Sequence, residues 1–90
     1  FGLMRSELSY DVDILFSKDA APYVRERTWH PLQEITPLED GGVRLCFQAN
    51  HLSELAAWIL SWGHRAKVVS PLKLRDLVSD QLRRATKNYE

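Results

Sequence analysis

The residues best suited to chemistry crowd into one stretch, YVRERTWHPLQE, running from Tyr23 to Glu34. Arg25, Arg27, His30 and Gln33 supply two guanidinium groups, an imidazole and an amide, with Trp29 among them. Such a set could grip an anion, an effector or a neighbouring domain through charge-assisted hydrogen bonds. Spacing narrows this. Two residues apart, Arg25 and Arg27 do not share a face of a regular helix, so they cannot both hold one ligand from it. Arg27, beside His30 at a helix end, is the better contact candidate, and Trp29 is expected to pack where the helix hands over to a strand.

Elsewhere the residue types argue against catalysis. His30, His51 and His64 are scattered, with no second ligand at metal-site spacing. Cys46 is the one cysteine, so no internal disulfide or CxxC metal motif is available, and it reads as a structural thiol in a reducing compartment. The glycines form neither a P-loop nor a GxGxxG fingerprint. Asp11 and Asp13 lie at strand spacing on one face, where pairing with Arg44 is a simpler reading than an acid–base dyad. The expectation is a non-enzyme, with no catalytic residue, metal or cofactor.

The elements that position these residues follow from periodicity. YDVDILF, Tyr10 to Phe16, alternates apolar with acidic residues as a half-buried strand does. Ser17 or Asp19 can cap a short helix that carries Pro22 in its first turn and ends near Arg27. LQEITPLE predicts a second, irregular edge strand, EDGG a hairpin turn, and VRLCFQA a third strand. Asn50 is the expected N-cap of HLSELAAWILSW, whose Leu52, Leu55, Ala56, Ile59 and Leu60 share one helical face, with Gly63 ending it. AKVV predicts a fourth strand, and Ser70 with Pro71 the start of a last helix. The resulting order, β-α-β-β-α-β plus a helix, predicts an α+β fold: a ferredoxin-like antiparallel sheet with two helices on one face and a C-terminal helix.

Composition sets further bounds. The 90 residues suffice for one small domain with a thin core. Lys plus Arg and Asp plus Glu both number 12, so there is no basic excess of the kind that phosphate-backbone binding uses. No apolar run approaches the length of a membrane span, and no signal-peptide pattern is present. The start at Phe1 rather than methionine suggests a piece of a longer polypeptide. The fold class also admits an RNA-binding reading, but the outward positions of the two central strands are Asp11, Asp13 and Leu15, and Arg44, Cys46 and Gln48. Stacking aromatics are missing there, and the carboxylates would repel phosphate. Trp58 and Trp62, four apart on a helix, either extend the core or offer an apolar patch to a partner domain or second subunit. The basic residues of the last helix, mixed with Asp76 and Asp80, read as a solvated face.

Taken together, FGLM, VDILFSKDAAPYVRERTWHPLQ, GGVRLCFQA and ELAAWILSWGHRAKVVSPLKLRDLV resemble the C-terminal extension, or WCX domain, of WYL-domain transcriptional regulators. The resemblance spans essentially the whole chain. WILSWG followed by VVSPxxLR is its most specific part, and RERxWHxxQ supports it; Leu32 departs from the small hydroxyl residue that relatives often carry there. It implies a bacterial, cytoplasmic parent with an N-terminal helix-turn-helix that binds DNA and a central WYL domain that senses a ligand, in some members a nucleic acid. Residues 1–9 would then be the linker from that WYL domain, and residues 10–90 the ferredoxin-like WCX-type domain. The implied function is regulation and homodimerisation in support of effector-dependent DNA binding, with the upstream WYL domain as a second partner and DNA held by the parent rather than this segment. Arg25, Arg27, His30 and Gln33 are the candidate effector or interdomain contacts, and Trp58 and Trp62 with the sheet edge the candidate interface. The alternative is a small-molecule or nucleotide sensor domain whose pocket lies beside the first helix and second strand.

Overall fold

Alternation in the first strand decides the architecture. In the computed structural model, which describes residues 9–90, β1 (Tyr10–Phe16) buries Val12, Ile14 and Phe16 and turns Asp11 outward. The expected linker over residues 1–9 lies, apart from Ser9, outside the described residues. The chain continues through α1 (Ala21–Arg25), β2 (Glu34–Pro37), β3 (Val43–Ala49), α2 (Leu52–Leu60), a 3-10 turn over Gly63–Arg65, β4 (Ala66–Ser70) and α3 (Leu72–Lys87). This is the expected α+β class, an antiparallel four-stranded sheet with a C-terminal helix.

The strands lie in the order β2-β3-β1-β4, and every neighbouring pair is antiparallel. Each β-α-β connection therefore passes over one intervening strand. Val12 opposes Phe47, Ile14 opposes both Leu45 and Val68, and Phe16 opposes Val43 and Ala66. These positions form one apolar face, closed by Ala21 and Val24 of α1, Leu52, Ala56 and Ile59 of α2, and Leu74 of α3. Burying each large aliphatic or aromatic side chain there contributes about 1.5–3 kcal/mol, the main term holding the layers together.

The hairpin uses its two glycines for different reasons. Gly41 has φ +94°, a left-handed conformation that suits glycine. Gly42 is needed for space, since a Cβ there would stand 2.3 Å from the Phe16 carbonyl oxygen. Helix starts differ from expectation. The α1 N-cap is Ala20, and the backbone carbonyl of Ser17, not a side chain, accepts from the N–H groups of Ala20 and Ala21. His51 rather than Asn50 is the α2 N-cap, because its carbonyl takes the Leu55 N–H at 3.2 Å. Pro71 is extended, with ψ 164°, and so caps α3 rather than opening it. Only the first half of α3 packs on the domain: Leu74 is buried and Leu77 and Val78 are half-buried, whereas every residue from Gln81 onward is exposed.

Candidate functional site

The stretch Tyr23–Glu34 leaves α1 at Arg25 and forms a turn before β2 begins at Glu34. Its conformation is set by Gln33. The Gln33 Oε1 accepts from the Trp29 N–H at 2.6 Å and the His30 N–H at 2.9 Å, while Nε2 donates to the Arg27 carbonyl at 3.3 Å. One amide thus satisfies three backbone groups that neither helix nor sheet can pair. Both ends of the Gln33 amide are therefore engaged in clamping the turn.

The clamp aims Trp29 at the core. Its Nε1–H donates to the Val24 carbonyl at 3.0 Å, and its ring lies 5.0 Å from Trp58 and 6.2 Å from Trp62. Phe16 meets both of those indoles edge-on, at 6.0 and 5.2 Å. These are favourable edge-to-face separations. Trp58 and Trp62 therefore do extend the core, but each remains half-buried, so part of both rings is still offered to a neighbour.

His30 turns the other way and stacks on Phe47, with centroids 5.5 Å apart and planes 21° from parallel. The Leu32 N–H donates to His30 Nδ1 at 3.2 Å, which leaves the proton of the neutral ring on Nε2. Between this stacked pair and α2 lies a cleft of about 420 Å³, walled by Trp29, His30, Phe47, Leu55 and Trp58. Asn50 and Glu54 supply polar groups to its lining, in which no lysine or arginine stands among the described residues. Arg25 and Arg27 are both exposed and stay outside it; the Arg27 guanidinium sits 5.7 Å from the Trp29 ring centre, covering that indole from the solvent side. Of the four expected contacts, the cleft takes His30 alone, and it adds Phe47, Asn50 and Glu54. Phe47 continues the inward alternation of β3 to the end of the strand, the one signal that marked it.

The family model described as WCX domain matches residues 8–86. This chain belongs to the WCX domain family. No curated protein matches it.

The helix-free face of this WCX domain is polar. Arg44 Nε donates to Asp13 at 2.8 Å and Gln48 Nε2 to Asp11 at 3.0 Å, each across the β1–β3 ladder. The Arg44 hydrogen bond holds the Asp13 carboxyl below the usual carboxylate range. Burial pushes the Cys46 thiol up, and the negative charge of Asp13 pushes it further. A thiol so placed stays protonated and is a poor nucleophile. Among the described residues, no group of three or more His, Cys, Asp and Glu side chains converges to hold a metal ion, and no helix is long and apolar enough to cross a membrane.

Proposed function

We propose that this WCX domain is a non-enzymatic regulatory module of a cytoplasmic WYL-type transcriptional regulator, contributing to dimerisation and to the response of the parent protein to its effector. The observation that carries this reading is the set of large rings, Trp29, Phe47, Trp58 and Trp62, packed on the core yet left half-covered. Aromatic side chains held this way by a clamped turn suit a surface that a second subunit or the adjoining WYL domain completes, since tryptophan anchors interface centres. DNA contact belongs to the helix-turn-helix of the parent. Equilibrium sedimentation over a wide concentration range tests the self-association. A dimer weakened by Ala57→Glu, a charge placed on the exposed shoulder of α2 beside Trp58, is the expected result. A strict monomer at the highest concentration would refute dimerisation through this shoulder.

A second reading, a small-molecule or nucleotide sensor, is favoured by the cleft between His30 and Trp58. A thermal-shift screen with nucleotides, short single-stranded oligonucleotides and metabolites tests it. A ligand at about a hundred times its Kd adds about 2.7 kcal/mol of stability, which is easily detected. Stabilisation that is lost in His30→Ala but kept in Arg25→Ala places the ligand in the cleft. Loss in Arg25→Ala instead places it on the α1 surface.

A further inference from the structure

Among the described residues the sheet ends, on the side away from the hairpin, at β4, so alternate backbone N–H and C=O groups of that strand point away from β1 without a described ladder partner. Alongside runs α3, and between the two lies a groove of about 350 Å³. Its apolar lining includes Val68, Val78 and Leu82, and Leu82 is 50% exposed. Among the described residues the charged groups in the lining are Lys67, Arg75 and Arg83, all basic, with no carboxylate beside them. Asp80, which pairs with Arg83 at 3.3 Å and Arg84 at 3.7 Å, lies outside the groove.

We infer that this groove receives an extended acidic segment of a partner protein, added to β4 as a fifth strand, with apolar residues where it faces α3 and acidic ones on the outward face that carries Lys67. Three physical features select that occupant. The unpaired edge calls for a strand, since only another extended backbone satisfies alternating donors and acceptors along its length. The spacing agrees: same-face residues of a strand are about 6.8 Å apart, and residues one turn apart on a helix, such as Val78 and Leu82, rise about 6 Å. Charge then sets the composition, because the acidic positions stand beside Lys67 of β4, while Arg75 and Arg83 of α3 add to the positive field of the groove. A second copy of this chain pairing β4 to β4 about a twofold axis would gather two sets of Lys67, Arg75 and Arg83 at one edge, an unfavourable concentration of like charge. The groove is separate from the cleft beside His30, so the inference stands or falls independently of the proposed dimerisation.

The test is fluorescence anisotropy with the 90-residue protein and short labelled peptides of alternating sequence. One peptide alternates valine with glutamate, a second valine with lysine, and a third is the glutamate peptide N-methylated along the edge that would face β4. The glutamate peptide should bind saturably and the lysine peptide should not. N-methylation, and separately the double variant Lys67→Glu/Arg75→Glu, should each weaken binding by about tenfold or more, since one removes the edge hydrogen bonds and the other reverses two exposed charges. Equal binding of the N-methylated peptide would reduce the effect to charge attraction and overturn strand addition. Equal binding of the lysine peptide, or no saturable binding at all, overturns the inference as well. So does self-association broken by the same double variant, which would make the occupant a second copy.

Discussion

Replacing Gln33 with alanine should release the Trp29–His30 turn, because one side chain holds three backbone groups. Both N–H groups bound by Oε1 are part-buried, at 2.6 and 2.9 Å, while the 3.3 Å contact from Nε2 is longer and exposed. Each of the two shorter bonds contributes about 1 kcal/mol net, so losing both costs about 2 kcal/mol. In a domain of this size that loss lowers the melting temperature by about 8–15 °C. Gln33→Glu keeps both acceptor roles and loses only the weak donor, so its cost should stay under about 1 kcal/mol at neutral pH. Thermal melts followed by circular dichroism, with urea titrations alongside, read both variants. The tryptophan emission of Gln33→Ala should also shift to the red in the folded baseline as Trp29 loosens. A Gln33→Ala melt within about 2 °C of the parent, or a Gln33→Glu variant as damaged as the alanine, would refute the clamp, since water would then be serving these N–H groups equally well.

Three further outcomes follow from the same geometry. Because Arg44 depresses the carboxyl of Asp13 in the folded state, its stabilising contribution is complete above the unfolded value of about 3.9 and is lost as pH falls through the lowered one. Asp13→Asn should therefore trail the parent in urea titrations near pH 6 and converge with it on acidification, while Cys46, relieved of the nearby negative charge, reacts faster with iodoacetamide. Gly42→Ala should cost more than Gly63→Ala in denaturation midpoint. At Gly42 the new methyl meets the Phe16 carbonyl at 2.3 Å, whereas Gly63, with φ +63°, has nothing within 4 Å and carries only the left-handed strain of about 1 kcal/mol. Among indole replacements, Trp29→Phe should be the more damaging by about 1 kcal/mol, since it forfeits the bond to Val24, while Trp62 Nε1 has no hydrogen-bond partner to lose; equal midpoints would contradict this.

Strands and helices were legible wherever one face is buried. Asp11 and Asp13 between Val12, Ile14 and Phe16 mark β1 through period two, and Leu52, Leu55, Ala56 and Ile59 mark α2 through period 3.6. The Asp13–Arg44 pairing is legible too, because the register follows once the apolar faces are aligned. Helix starts were less so. Ser17, Asn50 and Ser70 are good capping types, yet backbone carbonyls of Ser17, His51 and Pro71 do that work, a choice fixed by how each strand exit delivers the chain. The candidate site was legible in part. RERTWHPLQ stands out as polar and aromatic, but nothing local tells that Gln33 turns in to hold the backbone while Arg25 and Arg27 stay out in solvent. That division depends on contacts with Phe47 and Trp58, which lie far along the chain.

All three tryptophans of the chain stand in one cluster around Phe16. Intrinsic fluorescence is consequently a local gauge: it reports on the junction of β1, the clamped turn and α2, and is blind to the exposed outer half of α3. Circular dichroism, by contrast, weights that helix heavily. If the outer turns of α3 fray before the rest unfolds, the two signals will separate along a urea axis, and their coincidence or divergence will measure how far cooperativity extends from the indole cluster into the helix.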